Sequence, residues 1–369
     1  MRYIKTIDDI TKDGAVDFGA GYEFVERAED ADAILMRSTD LHGYDLPEGI
    51  RAIGRCGAGV NNIPVEEYAR RGVVVFNSPG ANSNAVKEIV LAMMIMSSRG
   101  IVQAMQWVRA NADDPDILTS AEKAKKAFVG REIRGKRIGV VGLGNVGSKV
   151  ANACVELGMD VYGYDPFISV EHAWALNREV QRVGTLEDLC RGCDYLTLHV
   201  PSKADTVGMI STEQLALLAP GAVLINFARE TIIDEDAVAA ALEAGKLSWF
   251  ACDFATPKTV RMPRTFITTH SGAGTEEAEA NCADMAISEL KDYLENGNIA
   301  HSVNYPACSM GKARAASRIA CLHANVQLMV NESAGENAYT MFDTDEHLDR
   351  ATIEALKQIP SMYRVRVIK

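Results

Sequence analysis

Residues 135–165, GKRIGVVGLGNVGSKVANACVELGMDVYGYD, decide the fold. The run GKRIGVVG is apolar and bounded by glycine, as a buried strand is. Gly142-x-Gly144-x-x-Gly147 follows it and opens NVGSKVANACVELG, whose apolar residues recur at helical spacing. MDVYGYD is a second strand, and it ends on Asp165, 18 residues beyond Gly147. Strand, glycine turn, helix, strand and acid in that order form the dinucleotide fingerprint. The glycines permit a tight turn and let a pyrophosphate approach the helix N-terminus, whose free N–H groups and dipole favour an anion. Asp165 suits the two ribose hydroxyls and opposes a 2′-phosphate, and Pro166 and Phe167 stand where an NADP site would want Arg or Lys. NAD is therefore the expected cofactor, and a purely structural glycine turn is the lesser reading.

Outward from this unit, CDYLTLHV, AVLINFA, LSWFACDF and RTFITTH read as further strands, with helices such as DEDAVAAALEAG between them. That alternation predicts a doubly wound parallel sheet. Upstream, ADAILMR (31–37), RAIGRCG (51–57) and GVVVFN (72–77) predict strands of another parallel sheet, and PVEEYARRG predicts a helix. NAVKEIVLAMMIMSSRG, from Asn84, is an apolar helix placed to cross between the two, and NADDPDILTS reads as a polar loop. GTEEAEANCADMAISELKDYLENG is long enough to carry the chain back. RIACLH, ENAYTMFD, ATIEALKQI and YRVRVIK then read as a small α+β unit. The expected domains are a discontinuous, flavodoxin-like substrate-binding domain (1–90 with 285–306), a nucleotide domain (91–284) and a tail domain (317–369).

Composition narrows the function. A chain of 369 residues with 38 basic against 50 acidic residues, net charge −12, is a poor match for nucleic acid. The longest apolar run, Ile89 to Met96, is too short to span a membrane, and MRYIKTIDDITKDG lacks the apolar core of a signal peptide. Eight cysteines are too sparse for a disulfide scaffold. Cys190-x-x-Cys193 has no second pair beside it, so two small buried thiols are favoured over a redox or metal site. No metal is expected, and a reducing cytoplasm fits.

Oxidation of a 2-hydroxy acid by NAD needs a base for the hydroxyl proton, a cation for the carboxylate and exclusion of water. His270 ends the strand RTFITTH, and Arg229 ends AVLINFA. Strand tips of such sheets face the ligand crevice, which makes these two the candidate base and cation. His172, His199, His301, His323 and His347 lack such a pairing and read as structural or surface residues, and His42, near an expected loop, stays unassigned.

Beyond single residues, the chain resembles the D-2-hydroxyacid dehydrogenase family almost from end to end, and within it the members that oxidise 3-phospho-D-glycerate. GRCGAGVNNIP and GVVVFNSPGANSNAVKE are similar to the family's substrate-domain signature. VGLGNVG, LHVP, NFARETIIDEDAV and THSGAGTEEAEANCADMA are similar to its cofactor and catalytic signatures. The tail resembles an ACT domain, a small regulatory module that binds amino acids. The resemblance implies two Rossmann-like parallel-sheet domains plus an ACT-like domain, NAD-dependent formation of 3-phosphooxypyruvate on the route to serine, serine as an effector, and a homodimer or homotetramer. It further implies that Arg229 holds the substrate carboxylate and carbonyl and that His270 is the acid/base. Ala58, Gly59 and Val60 would present amides to the carboxylate, while Arg37, Ser38 and Asn82 would meet the phosphate end. Asn145, Val146, His199, Val200, Pro201, Thr206, Phe227, Ala228, Asp253 and Gly272 would join Gly142, Gly144, Gly147 and Asp165 around NAD, Asp253 at the nicotinamide amide. Closure about helices near 85–100 and 275–295 would expel water.

Two departures stand out. The family places a glutamate after the ACDF aspartate to orient the histidine, but here Asp253-Phe254-Ala255-Thr256-Pro257-Lys258 supplies no acid. Glu230, Glu276 or Glu277, or a water, are the substitutes, with lower activity or a pH optimum shifted downward as consequences. In the tail, RIACLHANV runs almost directly into QLMVNESAGENAYT, so the ACT module's first helix and following strand are missing near Val326 and Gln327. The rival readings are a dehydrogenase for another D-2-hydroxy acid, such as 2-hydroxyglutarate, and a catalytically weak NAD-sensing interaction protein.

Overall fold

A computed structural model describes residues 1–8, 10, 16–314, 318, 320, 322, 328–334, 337–343, 349–359 and 365. The first sheet contains β1 (Arg2–Thr6), β2 (Tyr22–Val25), β3 (Ala33–Met36), β4 (Ala52–Arg55) and, after the short helix α1 (Val65–Arg70), β5 (Val74–Phe76). All are parallel, in the order β2-β1-β3-β4-β5. Every residue of β3 is buried, which is why AILM is continuously apolar rather than alternating: both faces of the strand are covered.

Helix α2 (Ser83–Ser98) leaves this sheet and buries Val86, Val90, Met93 and Met94 in the core of the second. Two helices, α3 (Ile101–Ala110) and α4 (Ile117–Ala124), follow and bury no residue. The glycine crossover is β6 (Arg137–Val141), α5 (Gly147–Glu156) and β7 (Asp160–Tyr164). After it come α6 (Val170–Ala175), β8 (Gln181–Arg182), α7 (Leu186–Cys190), β9 (Tyr195–Leu198) and α8 (Thr212–Leu217). The sheet is completed by β10 (Ala222–Asn226), α9 (Glu235–Glu243), β11 (Leu247–Cys252) and β12 (Thr265–Ile267). Its order, β12-β11-β10-β9-β6-β7-β8, reverses between β6 and β9. That switch point opens a crevice at the C-terminal ends of the strands.

The long helix α10 (Glu276–Asn296) returns to the first sheet, capped by the Thr275 hydroxyl at one end and stopped by left-handed Gly297 (φ 72°) at the other. Cys282, Ala283, Ala286, Ile287 and Leu290 pack against Ile4, Ala33, Ala52 and Val74. The approach is close enough that a Cβ on Gly54 would lie 2.8 Å from Leu290 Cδ1. Beyond α10 the chain runs beside β5. Ser302 bridges Phe76 antiparallel, the Val303 amide donates to the Val75 carbonyl (2.9 Å), and Asn304 accepts from the Val75 amide while donating to the Val73 carbonyl. The first lobe is thus assembled from two stretches of the chain that the second lobe separates.

Two sequence expectations change. The segment read as the loop NADDPDILTS gives its last four residues to α4, because the Asp116 carbonyl accepts the Thr119 and Ser120 amides and starts a helix. In the tail, QLMVNESA, from which no strand is expected, supplies β13 (Leu328–Ala334), paired antiparallel along its length with β14 (Asn337–Asp343) and followed by α11 (Arg350–Lys357). Val326, Gln327 and most of RIACLH and YRVRVIK lie outside the described residues, as do His323 and His347. Cys190 and Cys193 are fully buried beside Leu196 and Leu215, and burial pushes their thiols up to about 12 and about 11. Among the described residues no group of His, Cys, Asp and Glu could hold a metal, and no helix is long and apolar enough to cross a membrane.

Candidate active site

The turn after β6 separates the roles of its three glycines. Gly142 has φ +84°, and a Cβ there would lie 2.9 Å from the His199 carbonyl. A Cβ on Gly147 would lie 1.8 Å from the Gly142 carbonyl oxygen. Around Gly144, by contrast, nothing stands within 4 Å of the added atom. The protein itself demands the outer two glycines, while the middle one faces open space of the kind a pyrophosphate would fill. Asp165 at the tip of β7 accepts the Leu143 amide on Oδ2 (2.8 Å) and the Phe167 amide on Oδ1 (2.9 Å), leaving a lone pair on each oxygen for ribose hydroxyls. These residues fit NAD.

The rest of the nucleotide set lines the same crevice edge. His199 lies under the glycine turn, its amide donating to the Val141 carbonyl. Burial pushes its imidazole down to about 3, so it is neutral and sets the shape of the turn's floor. Val200 Cγ1 would lie 2.8 Å from a Cβ on Gly142. The Thr206 hydroxyl donates to the Pro201 carbonyl (2.6 Å) and accepts the Lys203 amide, which closes the loop after β9. Phe227 is buried, and the Ala228 amide donates to Asn226 Oδ1. Val146 precedes α5 and packs on the core beneath it. Asn145 touches Gly80 of the first lobe and accepts a hydrogen bond from His172 Nε2 (3.1 Å). His172, read from the sequence as structural or surface, therefore stands at the rim of the nucleotide turn.

His270 has a left-handed backbone (φ +57°), and its loop is tied down by one buried group. Asp253, 3% exposed at the end of β11, accepts the Thr268 hydroxyl (2.5 Å) and the Ser271 amide (2.8 Å) on Oδ1 and the Gly272 amide (2.7 Å) on Oδ2. Its carbonyl accepts the His270 amide. The carboxylate expected at the nicotinamide amide thus also ties down the histidine loop, with a lone pair left on Oδ2. A Cβ on Gly272 would lie 2.7 Å from Asp253 Oδ2, so that position admits only glycine without rearrangement. The imidazole is exposed and meets the edge of Phe254, ring centres 5.1 Å apart. Among the described residues no carboxylate bonds to it, Glu230, Glu276 and Glu277 included. The segment where the family supplies its acid is drawn toward α9 instead, through Thr256 to Glu235 (2.7 Å) and Lys258 to Asp236 (2.6 Å).

Across the crevice, two guanidinium groups meet at the loop after β4, and a third, Arg37, lies near enough to act on one of them. Arg229, at the tip of β10, reaches out of the second lobe so far that a Cβ on Gly59 would lie 3.0 Å from its Nη2. Gly59, between Ala58 and Val60, thus lies beside it, and the Asn77 side chain holds the Ala58 carbonyl (2.6 Å). Arg55 lies under the loop, its Nη1 2.1 Å from where a Cβ on Gly57 (φ +151°) would stand. Burial lowers its pKa; the thiols of Cys282 and Cys56 oppose this, and the like charges of Arg229 and Arg37 reinforce it. Sequence reasoning missed Arg55; the signal was the Arg-Cys-Gly order, in which a glycine two residues on leaves space for the side chain to turn inward. Arg37 follows β3 and pairs with Glu279 of α10 (2.8 Å). Asp8, in a left-handed conformation (φ +75°), accepts the amides of Arg37, Ser38 and Thr39 and the Thr39 hydroxyl. Burial alone would raise its carboxyl, but the Thr39 hydroxyl and these amides hold it below its ordinary value. The Ser38 amide is therefore already engaged by Asp8 rather than free for a phosphate. Asn82 stands at the N-terminus of α2, on the loop that carries Gly80 to Asn145.

Residues 91–272 match the D-isomer specific 2-hydroxyacid dehydrogenase NAD binding domain. The chain is 32% identical over 342 residues to a D-3-phosphoglycerate dehydrogenase of Methanocaldococcus jannaschii, covering 89% of this chain and 62% of that protein. It is 30% identical over 380 residues to a D-3-phosphoglycerate dehydrogenase of Haemophilus influenzae, covering 94% of this chain and 89% of that one. The solved NAD+-bound 3-phosphoglycerate dehydrogenase of Entamoeba histolytica superposes with a TM-score of 0.63 at 28% identity, over 82% of this chain and 99% of that one. The chain thus spans under two thirds of its Methanocaldococcus relative's length.

Proposed function

The chain belongs to the D-2-hydroxyacid dehydrogenase family, and from that premise we propose that it oxidises 3-phospho-D-glycerate to 3-phosphooxypyruvate with NAD, on the route to serine. The observation that carries the reading is the meeting of Arg55 and Arg229 at the 57–60 loop, with Arg37 near enough for its charge to act on Arg55. Such a cluster suits a small polyanion, because planar guanidinium forks bind carboxylate and phosphate oxygens in pairs. Arg229 and the amides of 58–60 would hold the carboxylate, with Arg37, Arg55 and Asn82 at the phosphate end. His270 would take the hydroxyl proton as the hydrogen on the same carbon leaves with its electron pair. NAD, when bound, supplies the acceptor for that hydride. Asp253 keeps His270 at the crevice mouth, and Phe254 limits its rotation. With no carboxylate on the imidazole among the described residues, its developing positive charge lacks a fixed counter-charge there. That absence is the observation favouring the weaker alternative of an NAD-sensing protein.

Production of NADH from 3-phospho-D-glycerate, measured beside D-2-hydroxyglutarate and D-lactate across pH, tests the reading. Arg37→Ala should lower kcat/KM for the phosphorylated substrate roughly tenfold to a hundredfold, the scale of a lost charged hydrogen bond, and affect D-lactate little. Tight NAD binding with no turnover of any of the three would overturn it. The exposed apolar side chains of α3, α4 and their surroundings, Met105, Val108, Leu118 and Val129 among them, support a homodimer that covers this face. A monomer in sedimentation at micromolar concentration would contradict that. The hairpin β13–β14 followed by α11 supports an ACT-like tail module with serine as its effector, testable as inhibition by added serine. The buried reduced thiols fit a cytoplasmic enzyme.

A further inference from the structure

We infer that Glu279 is a specificity-determining residue, which sets how strongly the Arg37 end of the crevice favours a doubly charged substrate tail over a singly charged one. The inference rests on the proposed reading of Arg37 as the tail-binding cation. Three observations support it. First, the backbone of Arg37 is fully engaged: its amide donates to Asp8 and its carbonyl accepts Arg55 Nε (3.1 Å). Only the guanidinium is left to meet a ligand. Second, part of that guanidinium is already taken, because Nη1 pairs with Glu279 Oε2 at 2.8 Å. Asp8 faces the amides of 37–39, and among the described residues neither Arg55 nor Arg229 has an ion-pair partner. Glu279 is therefore the carboxylate placed directly on the cluster. Third, Glu279 cannot withdraw far. It stands one turn before Ala283, which is buried against the first sheet, so the backbone under it is fixed while its side chain (51% exposed) can give way to a ligand.

A displaced but tethered carboxylate repels whatever replaces it in proportion to that group's charge. A phosphate dianion meets twice the repulsion that a carboxylate meets, and a methyl tail meets none. At roughly 4 Å in water-like surroundings each unit of tail charge loses about fivefold in binding. The native site thus favours phosphate over carboxylate less than Arg37 and Arg55 alone would.

The test is Glu279→Gln in the full chain. Binding of 3-phospho-D-glycerate and D-2-hydroxyglutarate is measured by calorimetry in the presence of NADH, and kcat/KM for both is normalised to D-lactate. Loss of the charge should raise the preference for the phosphorylated ligand about fivefold, and Glu279→Asp should restore the native ratio. The gain should shrink as salt is raised, since the pair is solvent-accessible. An unchanged ratio, or an equal change for all three compounds, would overturn the inference, and so would failure of both anions to bind. Binding without turnover would refute the proposed activity while the calorimetric ratio still decides the role of Glu279.

Discussion

Replacing Asp253 with alanine removes the acceptor of three hydrogen bonds that hold the His270 loop, from the Thr268 hydroxyl and the amides of Ser271 and Gly272. Ser271 is exposed, so water can take its amide, whereas Gly272 is buried and Thr268 half-buried. Two charged hydrogen bonds are thus lost without replacement, at about 1.5–3 kcal/mol each, or about 3–6 kcal/mol in all. For a lobe of this size that is a fall of roughly 10 °C in melting temperature. Freed of its tether, His270 can relax from its left-handed conformation, and a shift of about 1 Å at the base would lower kcat about a hundredfold. NADH affinity should hardly change, because the glycine turn is untouched. Asp253→Asn keeps the oxygen that serves Thr268 and Ser271, and it should show about half the loss of stability. Melting by circular dichroism, NADH titration by fluorescence and steady-state kinetics read the three quantities separately. An unaltered melting temperature together with markedly weaker NADH binding would refute the reasoning and leave Asp253 acting at the nicotinamide amide alone.

Gly147→Ala places a Cβ 1.8 Å from the Gly142 carbonyl, so the turn must open; NADH titration should show binding lost in a chain whose circular dichroism is unchanged. Native affinity would show that the turn yields more easily than its geometry implies. Glu289 on α10 is buried against His301, with its Oε2 unpartnered. Burial raises its carboxyl above the ordinary 4.5, against the opposing effect of His301, so the stability it contributes is present below 4.5 and lost as pH rises through the raised value. Glu289→Gln should therefore gain in melting temperature relative to the native chain between pH 4 and pH 8. A gain that is flat or falls with pH would reverse that sign.

How far the sequence could be read depended on how local the cause was. The nucleotide turn was fully legible, because the clashes that fix Gly142 and Gly147 lie within the motif or at the next strand. The positions of Arg229 and His270 after strand ends were legible too, because apolar runs reveal strand order. Side chains whose direction depends on a remote partner were not. Asp8 caps a loop 29 residues away, and Asp253 turns inward because Gly272 admits it. Arg55 folds under its loop because Gly57 lacks a side chain. The absence of the acid beside His270 was visible, but the Phe254 edge that takes its place was not, since the chain around 255–258 follows its contacts with α9.

The return of α10 to the first sheet has a consequence for synthesis. The face of β4 that receives Leu290, with Gly54 cut back to admit it, is complete as a strand long before its cover exists. At about 5–20 residues per second, a ribosome needs roughly 10–40 s to make the residues between β5 and α10. Through that interval the nascent first lobe presents an unfinished apolar face and the Cys56 thiol, while the second lobe can fold as a unit. The first lobe, begun before the second, is completed after it. The nascent chain is most exposed to aggregation and to chaperone capture just before α10 clears the exit tunnel.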